Sequence, residues 1–273
     1  MTPQTLLAHL DSGQLWPAAP SGEHGFAPSG EPGFAVAAAY QQSLAVRTLR
    51  VARGEVPRGY KIGFTNRSIW PRYNVFAPIW GTVWDTTLAF CDGQGSVSLA
   101  RTCQPRIEPE AVFGLRATPP AEATLDDLFD SLDWVAPGFE IVQSHLPDWK
   151  FAAADTVADG GLHARLMVGA KVPVRNVAAS AAAFDAALGA AMVTLRRGTE
   201  VMDQGRGTNV LDGPLQALHH FLQELRACPG ATDLQPGDVV TTGTWTDAWA
   251  VAPGETWQAA FDAPLSPLEV RFT

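Results

Sequence analysis

Basic residues are scarce in this chain, and nowhere do they gather. Lysine and arginine number 19 against 28 acids, giving a formal net charge of −9, and the densest basic spot is the pair Arg196 and Arg197. Nucleic acid and anionic membrane surfaces attract clustered positive charge, so both are poor partners here. Cysteine is equally sparse: Cys91, Cys103 and Cys228 are odd in number and lack metal-ligand spacing. They read as reduced thiols of a cytoplasmic protein. Long hydrophobic runs are missing. The longest alanine-rich stretch, "VAASAAAFDAALGAAMV", is broken by Asp185 and lacks the length and bulk of a membrane span. The N-terminus, "MTPQTLLAHLDSGQLWP", has no basic n-region and no apolar h-region, so no secretory signal is expected. There is no internal repeat. What remains, 46% hydrophobic and 17% charged over 273 residues, describes a compact globular protein. The length suits one large domain or a domain with a helical cap.

Residues 3–10 predict a short helix. Residues 17–33, dense in Pro, Gly and Ser, predict a loop and hinge. A longer helix follows at about 34–52, with Ala37, Tyr40, Leu44, Thr48 and Val51 at helical spacing. We take 1–55 as an N-terminal helical cap and 56–273 as a β-rich body. In that body "GYKIGF", "RIEPEAVFGL", "VAPGFEIVQS" and the segment after "QPGD" read as strands. "AMVTLRRGTEVMDQG" reads as a hairpin turning near Gly198. "TLDDLFDSLDW" reads as a helix with Thr124 and Asp127 forming a capping box. "DGPLQALHHFLQELRA" is a helix whose buried stripe is Leu215, Leu218, Leu222 and Leu225. The pattern is β-rich and mixed, an α+β arrangement rather than alternating βαβ.

Within "QPRIEPEAVFGL", strand alternation puts Ile107, Pro109, Ala111 and Phe113 on one face and Glu108, Glu110 and Val112 on the other. Two carboxylates side by side repel, and burying them unpaired is costly. An edge strand facing water is the plain reading, and Pro109 fits an edge. Glu140, a single acid in the apolar "APGFEIV", offers a third carboxylate. Three such acids suit one hard cation, Mg²⁺ or Mn²⁺.

"GYKIGFT", "QPRIEPEAVFGL", "PGFEIVQSHLPDWKFAAADTVAD", "GPLQAL" and "PGDVVTTGT" occur in that order. Together they resemble the 2-keto-4-pentenoate hydratase and 4-oxalocrotonate decarboxylase group of the fumarylacetoacetate hydrolase superfamily, over about residues 35–250. The resemblance implies a mixed β-roll with a helical N-terminal region, and Mg²⁺ or Mn²⁺ on Glu108, Glu110 and Glu140. It implies a lyase acting on 2-oxo or 2-hydroxy-dienoate acids, in which the ion stabilises a developing enolate, and a role in aromatic-compound breakdown. Lys61, at the lysine of the group's "G-x-K-[IV]-G", is assigned to substrate binding or proton transfer, with a pKa lowered by burial beside a dication. Asp155 matches a catalytic-loop acid, with a helix cap as the plain alternative. Gly243, Thr244 and Thr246 in "GTWT" would line the substrate pocket and meet its carboxylate, with an ordinary strand-end turn as the alternative; Thr65 lies near the same pocket or is a turn residue, and Lys150 matches the group or pairs with an acid structurally. A homo-oligomer is implied, with a homologous subunit as a further partner.

The chain departs from the group around those positions. Ile79, in "PIWG", stands where the hydratases carry an aspartate, and Asp85 is the nearest acid. Gln143 replaces a common aspartate. The usual "DNASS" loop is "DGGLH", ending at His163. Trp80, Trp84, Trp245 and Trp249 flank the pocket motifs, as core or as walls shaped for a bulkier, more apolar acid than a pentadienoate. These departures fit an altered substrate or reaction better than loss of the metal, and a hydratase-type lyase remains the leading expectation from the resemblance. Decarboxylation of a 2-oxo-enedioate, C–C hydrolysis of an acylpyruvate-like substrate with His163 as base, and a non-catalytic partner subunit stand as alternatives.

Overall fold

The structure, a computed structural model, describes residues 1–17 and 32–273. Most of the stretch expected to be a loop and hinge, residues 18–31, therefore lies outside the described residues. Two sheets carry the body. In the larger, nine-stranded sheet, Ile79–Trp84, Pro57–Gly63, Val239–Thr241, Arg106–Leu115, Leu132–Val142, His163–Val168 and Leu88–Phe90 follow one another in space. The five-stranded sheet runs Glu200–Arg206, Met192–Arg197, Thr256–Phe261, Leu268–Phe272, Gln94–Val97. Both mix parallel and antiparallel pairs. Phe113 and Phe139 of the first sheet share one core with Leu195, Trp257 and Val270 of the second, and with the leucine stripe of the helix Pro214–Ala227. This is the α+β mixed β-roll expected above. Among the described residues, no helix is long and apolar enough to cross a membrane.

Local signals act as chemistry predicts. Thr124 caps the helix Leu125–Ser131, and the Asp127 carboxylate accepts from the Thr124 backbone N–H, the reciprocal bonds of a capping box. That helix stops at Ser131, and Leu132–Trp134, expected to be helical, open the next strand. The hairpin turns at Gly198, whose φ is +57°. The three cysteines are free thiols.

The helix Pro32–Ala52 needs a correction. Among its described side chains the buried positions are Ala39 and Val46, with Tyr40 and Leu44 half-buried, whereas Ala37, Thr48 and Val51 face solvent. Its alanine-rich sequence gives little contrast between faces, so spacing alone misplaces the stripe. Together with Leu6 and Trp16, this face packs on Ile79, Leu146, Ala154 and Val157.

Arg106–Leu115 is central rather than an edge, a second correction. One side pairs with Leu132–Val142 along its whole length. The other pairs with Val239–Thr241 at residues 112–114 and with Trp249–Ala250 at residues 106–107. Between those two contacts a loop crosses the strand, and its Thr242 and Trp245 N–H groups donate to the carbonyls of Ala111 and Pro109. A strand residue's N–H and C=O leave on the same side, so Pro109's missing donor faces this loop and costs the main ladder nothing.

Candidate active site

Glu108 and Glu110 project from one face of Arg106–Leu115, and strand register places Glu140 directly opposite Glu108. Like charges opposed across a ladder are destabilising. Here one oxygen from each acid lies within 4.8 Å of the others. Lys61, on Pro57–Gly63, brings its Nζ to 3.2 Å from Glu140 Oε2. Glu110, Glu140 and Lys61 are all buried, and Glu108 is half-buried at the cavity wall.

Glu110 and Glu140 are held by different partners. Glu110 Oε2 accepts the Gly243 N–H at 2.6 Å, while its Oε1 has no hydrogen bond. Glu140 Oε1 faces His163 Nδ1 at 2.8 Å, and His163 Nε2 lies 2.8 Å from the Thr87 hydroxyl. Burial, outweighing the glutamate's pull, holds the His163 pKa down, so the ring is neutral. A neutral ring in this frame donates from Nδ1 to Glu140 and accepts at Nε2 from Thr87.

The charge balance is uneven. Three carboxylates face one ammonium, a shortfall of two positive charges. Burial, aided by the Glu140 charge and opposed by Lys61, pushes Glu108 up to about 7. Burial and its two acidic neighbours hold Glu110 well above the usual carboxylate range. Burial raises Glu140 too, but Lys61 and His163 outweigh it and bring its pKa down. Burial likewise pulls Lys61 down, but the three acids prevail and its pKa lies above the ordinary lysine value; the lowered pKa expected above belongs to a site that holds a dication. A buried Glu110 oxygen without a hydrogen bond and a charge shortfall of two fit a divalent cation held by hard oxygen ligands.

A cavity of about 350 Å³ opens beside this cluster. Lys61, Glu108, Gly243, Thr244, Trp245 and Thr246 line it, as does Thr65, so residues distant in sequence do converge. The turn's polar groups are otherwise engaged, however. The Gly243 N–H goes to Glu110, and the Thr244 hydroxyl donates to the Thr246 carbonyl. Gly243 has φ +96°, and a Cβ there would sit 2.0 Å from Thr65 Oγ1. Gly243→Ala is therefore expected to cost at least ~2 kcal/mol, lowering Tm by roughly 4–8 °C in thermal unfolding.

Other candidate residues lie elsewhere. Asp155 is buried in the first turn of the helix Ala153–Ala158, where its Oδ2 accepts the Ala152 N–H at 2.8 Å, and it does not line the cavity. Trp80 stacks on Tyr40 at 4.5 Å in the core. Lys150 is exposed and pairs with Asp148. Gln143 ties the Cys103 N–H to the His163 carbonyl. Ile79 does line the cavity, whereas Asp85 is exposed and accepts the Val56 N–H, so it puts no acid in that wall. Sequence reasoning missed the cavity's outer wall, Phe64, Tyr73, Trp149 and Phe151. The only signal was aromatic character in three separate segments.

This mixed β-roll, which here carries an acid triad on its central strands, is shared with solved structures. The fold matches 4-oxalocrotonate decarboxylase from Pseudomonas putida G7, solved with magnesium and adipate. The TM-score is 0.82 at 24% identity, covering 100% of this chain and 99% of that one. Fumarylpyruvate hydrolase from Pseudomonas aeruginosa, with Mn²⁺ and pyruvate, gives 0.61 at 17% identity over 80% of this chain and 90% of that one. In sequence the chain is 30% identical over 227 residues to 2-keto-4-pentenoate hydratase of Burkholderia vietnamiensis, 82% of this chain and 81% of that protein. It is also 30% identical over 206 residues to a Pseudomonas 4-oxalocrotonate decarboxylase, 75% of each chain. No family model matches. The chain belongs to the 2-keto-4-pentenoate hydratase family.

Proposed function

We propose that this chain is a divalent-metal-dependent hydro-lyase. It would hydrate a 2-hydroxy-dienoate or its 2-oxo-enoate form, with Mg²⁺ or Mn²⁺ held by Glu108, Glu110 and Glu140. The observation that carries this reading is the buried shortfall of two positive charges at the wall of a cavity that also holds Lys61. When bound, the dication supplies a Lewis acid for the negative charge that develops on the substrate's 2-oxygen. Lys61 Nζ is the proton carrier at the cavity wall. Gly243 fixes Glu110, and His163 fixes Glu140. Ile79, Thr65 and Trp245 shape the cavity and limit water. Asp155 acts at one remove, by holding the turn before its helix. Residues 1–55 serve as cap to a catalytic body of 56–273, in a cytoplasmic homo-oligomer.

Decarboxylation is the second reading, favoured by Ile79. Hydration requires water to be placed, and the wall is apolar where the hydratases carry an acid. Loss of CO₂ needs no such group. C–C hydrolysis by a His163 base has less support, because both ring nitrogens are engaged and the ring does not line the cavity.

The test is ultraviolet-monitored turnover of 2-hydroxypenta-2,4-dienoate by metal-stripped protein, with and without Mg²⁺ or Mn²⁺. Metal-dependent loss of the dienol with formation of the hydrated keto acid supports the hydratase. Its absence, with CO₂ released from a 2-oxo-enedioate, supports the decarboxylase. Metal binding without turnover, with a homologue co-purifying, supports a partner subunit. His163→Ala is expected to weaken metal binding roughly 10–100-fold, measured by calorimetry. An unchanged Kd would mean that Lys61 alone orients Glu140.

A further inference from the structure

The cavity is larger than a five-carbon acid needs. At roughly 30 Å³ per water, its volume of about 350 Å³ corresponds to about a dozen waters. The cluster of Lys61 and Glu108 can engage only the polar end of a ligand. Of the remainder, one wall is aromatic, facing polar residues such as Asn66, Gln204 and Asn209.

Phe64, Tyr73, Phe151 and Trp149 form a continuous row of rings. Successive centroids are 4.9, 5.6 and 6.0 Å apart, and the first three rings lie within 21° and 24° of parallel with their neighbours. They come from three segments: the end of Pro57–Gly63, the short helix Trp70–Tyr73, and residues 149–151. All four are half-buried, unlike the core rings Phe113, Phe139 and Phe184, which are fully buried. A row needed only for packing would be covered. This one keeps surface toward the cavity.

The row is also fixed in place. Trp149 Nε1 donates to the Gln104 carbonyl at 3.0 Å, and the Arg106 guanidinium lies over the indole, 4.3 Å from its centroid. Trp70 Nε1 donates to the Phe64 carbonyl at 2.7 Å. Phe64 and Trp149 both adopt positive φ, +56° and +58°, a conformation disfavoured for aromatic residues. Rigid rings set in advance are good anchors for a flat apolar group, because little side-chain freedom is lost on binding.

Charge argues against an acidic tail. Asp203 and Asp247 line the same cavity. Among the described residues, Arg72 is the only cationic side chain lining it besides Lys61, and Arg72 is exposed.

We propose that the acid bound here carries an uncharged aryl substituent at the end distal to its 2-oxo group, stacked along Phe64, Tyr73 and Phe151. This rests on the reading of the site as a metal-assisted oxo-acid site, and it makes Tyr73 and Phe151 specificity-determining residues.

The test uses three 2-oxo acids that lack the conjugated double bond to which water would add, titrated calorimetrically into Mg²⁺-loaded protein. They are 2-oxopentanoate, 2-oxo-4-phenylbutanoate and 2-oxohexanedioate. The phenyl acid is expected to bind roughly tenfold or more tighter than the short acid, from burial of its ring. Tyr73→Ala and Phe151→Ala are each expected to remove most of that advantage, weakening the phenyl acid more than the short one. Equal affinity for the phenyl and short acids overturns the proposal. So does tightest binding of the dicarboxylate, above all if Arg72→Ala abolishes it. The wild-type comparison decides the matter even if a variant fails to fold. If none of the three acids binds a protein that does bind Mg²⁺, the oxo-acid reading itself fails, and the aryl proposal with it.

Discussion

Glu140→Ala is expected to remove divalent-metal binding and to lower kcat/KM by at least ~10³-fold, the rate equivalent of several kcal/mol of charge stabilisation at the reacting oxygen. The variant loses more than one ligand oxygen. Glu140 is the ion-pair partner of Lys61 and the hydrogen-bond partner of His163, so its removal leaves a buried ammonium and a buried imidazole without their shared acceptor. Lys61 would then lean on Glu108 and Glu110, drawing those acids from the ion. Circular dichroism separates this from general unfolding: the fold should persist while calorimetry shows no Mg²⁺ uptake. Glu108→Ala should behave alike. Full metal-dependent activity in either variant would sink the site assignment.

The second large effect concerns stability without metal. Glu108 is raised from an unfolded value of about 4.3 to about 7 in the folded chain. A folded pKa above the unfolded one gives stability that is complete at low pH and is lost as pH rises through the folded value. Glu110 shifts the same way. Glu140 shifts oppositely, but its contribution is already complete above about pH 4.5 and does not cancel the loss. Metal-stripped protein should therefore lose stability as pH climbs from about 4.5 to 7 and beyond, by on the order of 3 kcal/mol for Glu108. Mg²⁺ at about 100 times its Kd should return roughly 2.7 kcal/mol, and the return should shrink in acid, where protons compete for the same oxygens. Thermal unfolding at several pH values, with chelator or with Mg²⁺, measures both. A metal-free Tm that rises from pH 5 to pH 8 would contradict the charge arrangement described.

Much of this site was legible in the sequence because its logic is local. Period-two alternation put Glu108 and Glu110 on one face, and a lone acid in an apolar strand marked Glu140. The ordered motifs supplied Lys61. What stayed hidden depends on register and on loops. His163 meets Glu140 only because His163–Val168 pairs with Leu132–Val142, and nothing in "DGGLH" announces that neighbour. The aromatic row depends on two residues with positive φ that spacing rules do not anticipate. The Gly243 N–H looked free because its acceptor, Glu110, lies 133 residues earlier in the chain. The buried face of Pro32–Ala52 was blurred by alanine, which packs and exposes with almost equal ease.

The pairing of Arg106–Leu115 with Leu132–Val142 bears on the order in which the molecule is made. All three acids sit on these two strands, which are joined through one short helix. Lys61 arrives by another route, on a strand docked in parallel against Val239–Thr241, late in the chain. Contacts of small sequence separation form sooner than distant ones, because less chain must be closed to make them. The acid cluster can thus be complete while the lysine's strand and the cavity beside it are still unassembled. A divalent ion would then act as a chaperone of its own site, cancelling repulsion between the acids at the moment the strands meet. Refolding that proceeds at the same rate with and without Mg²⁺ would count against that order of events.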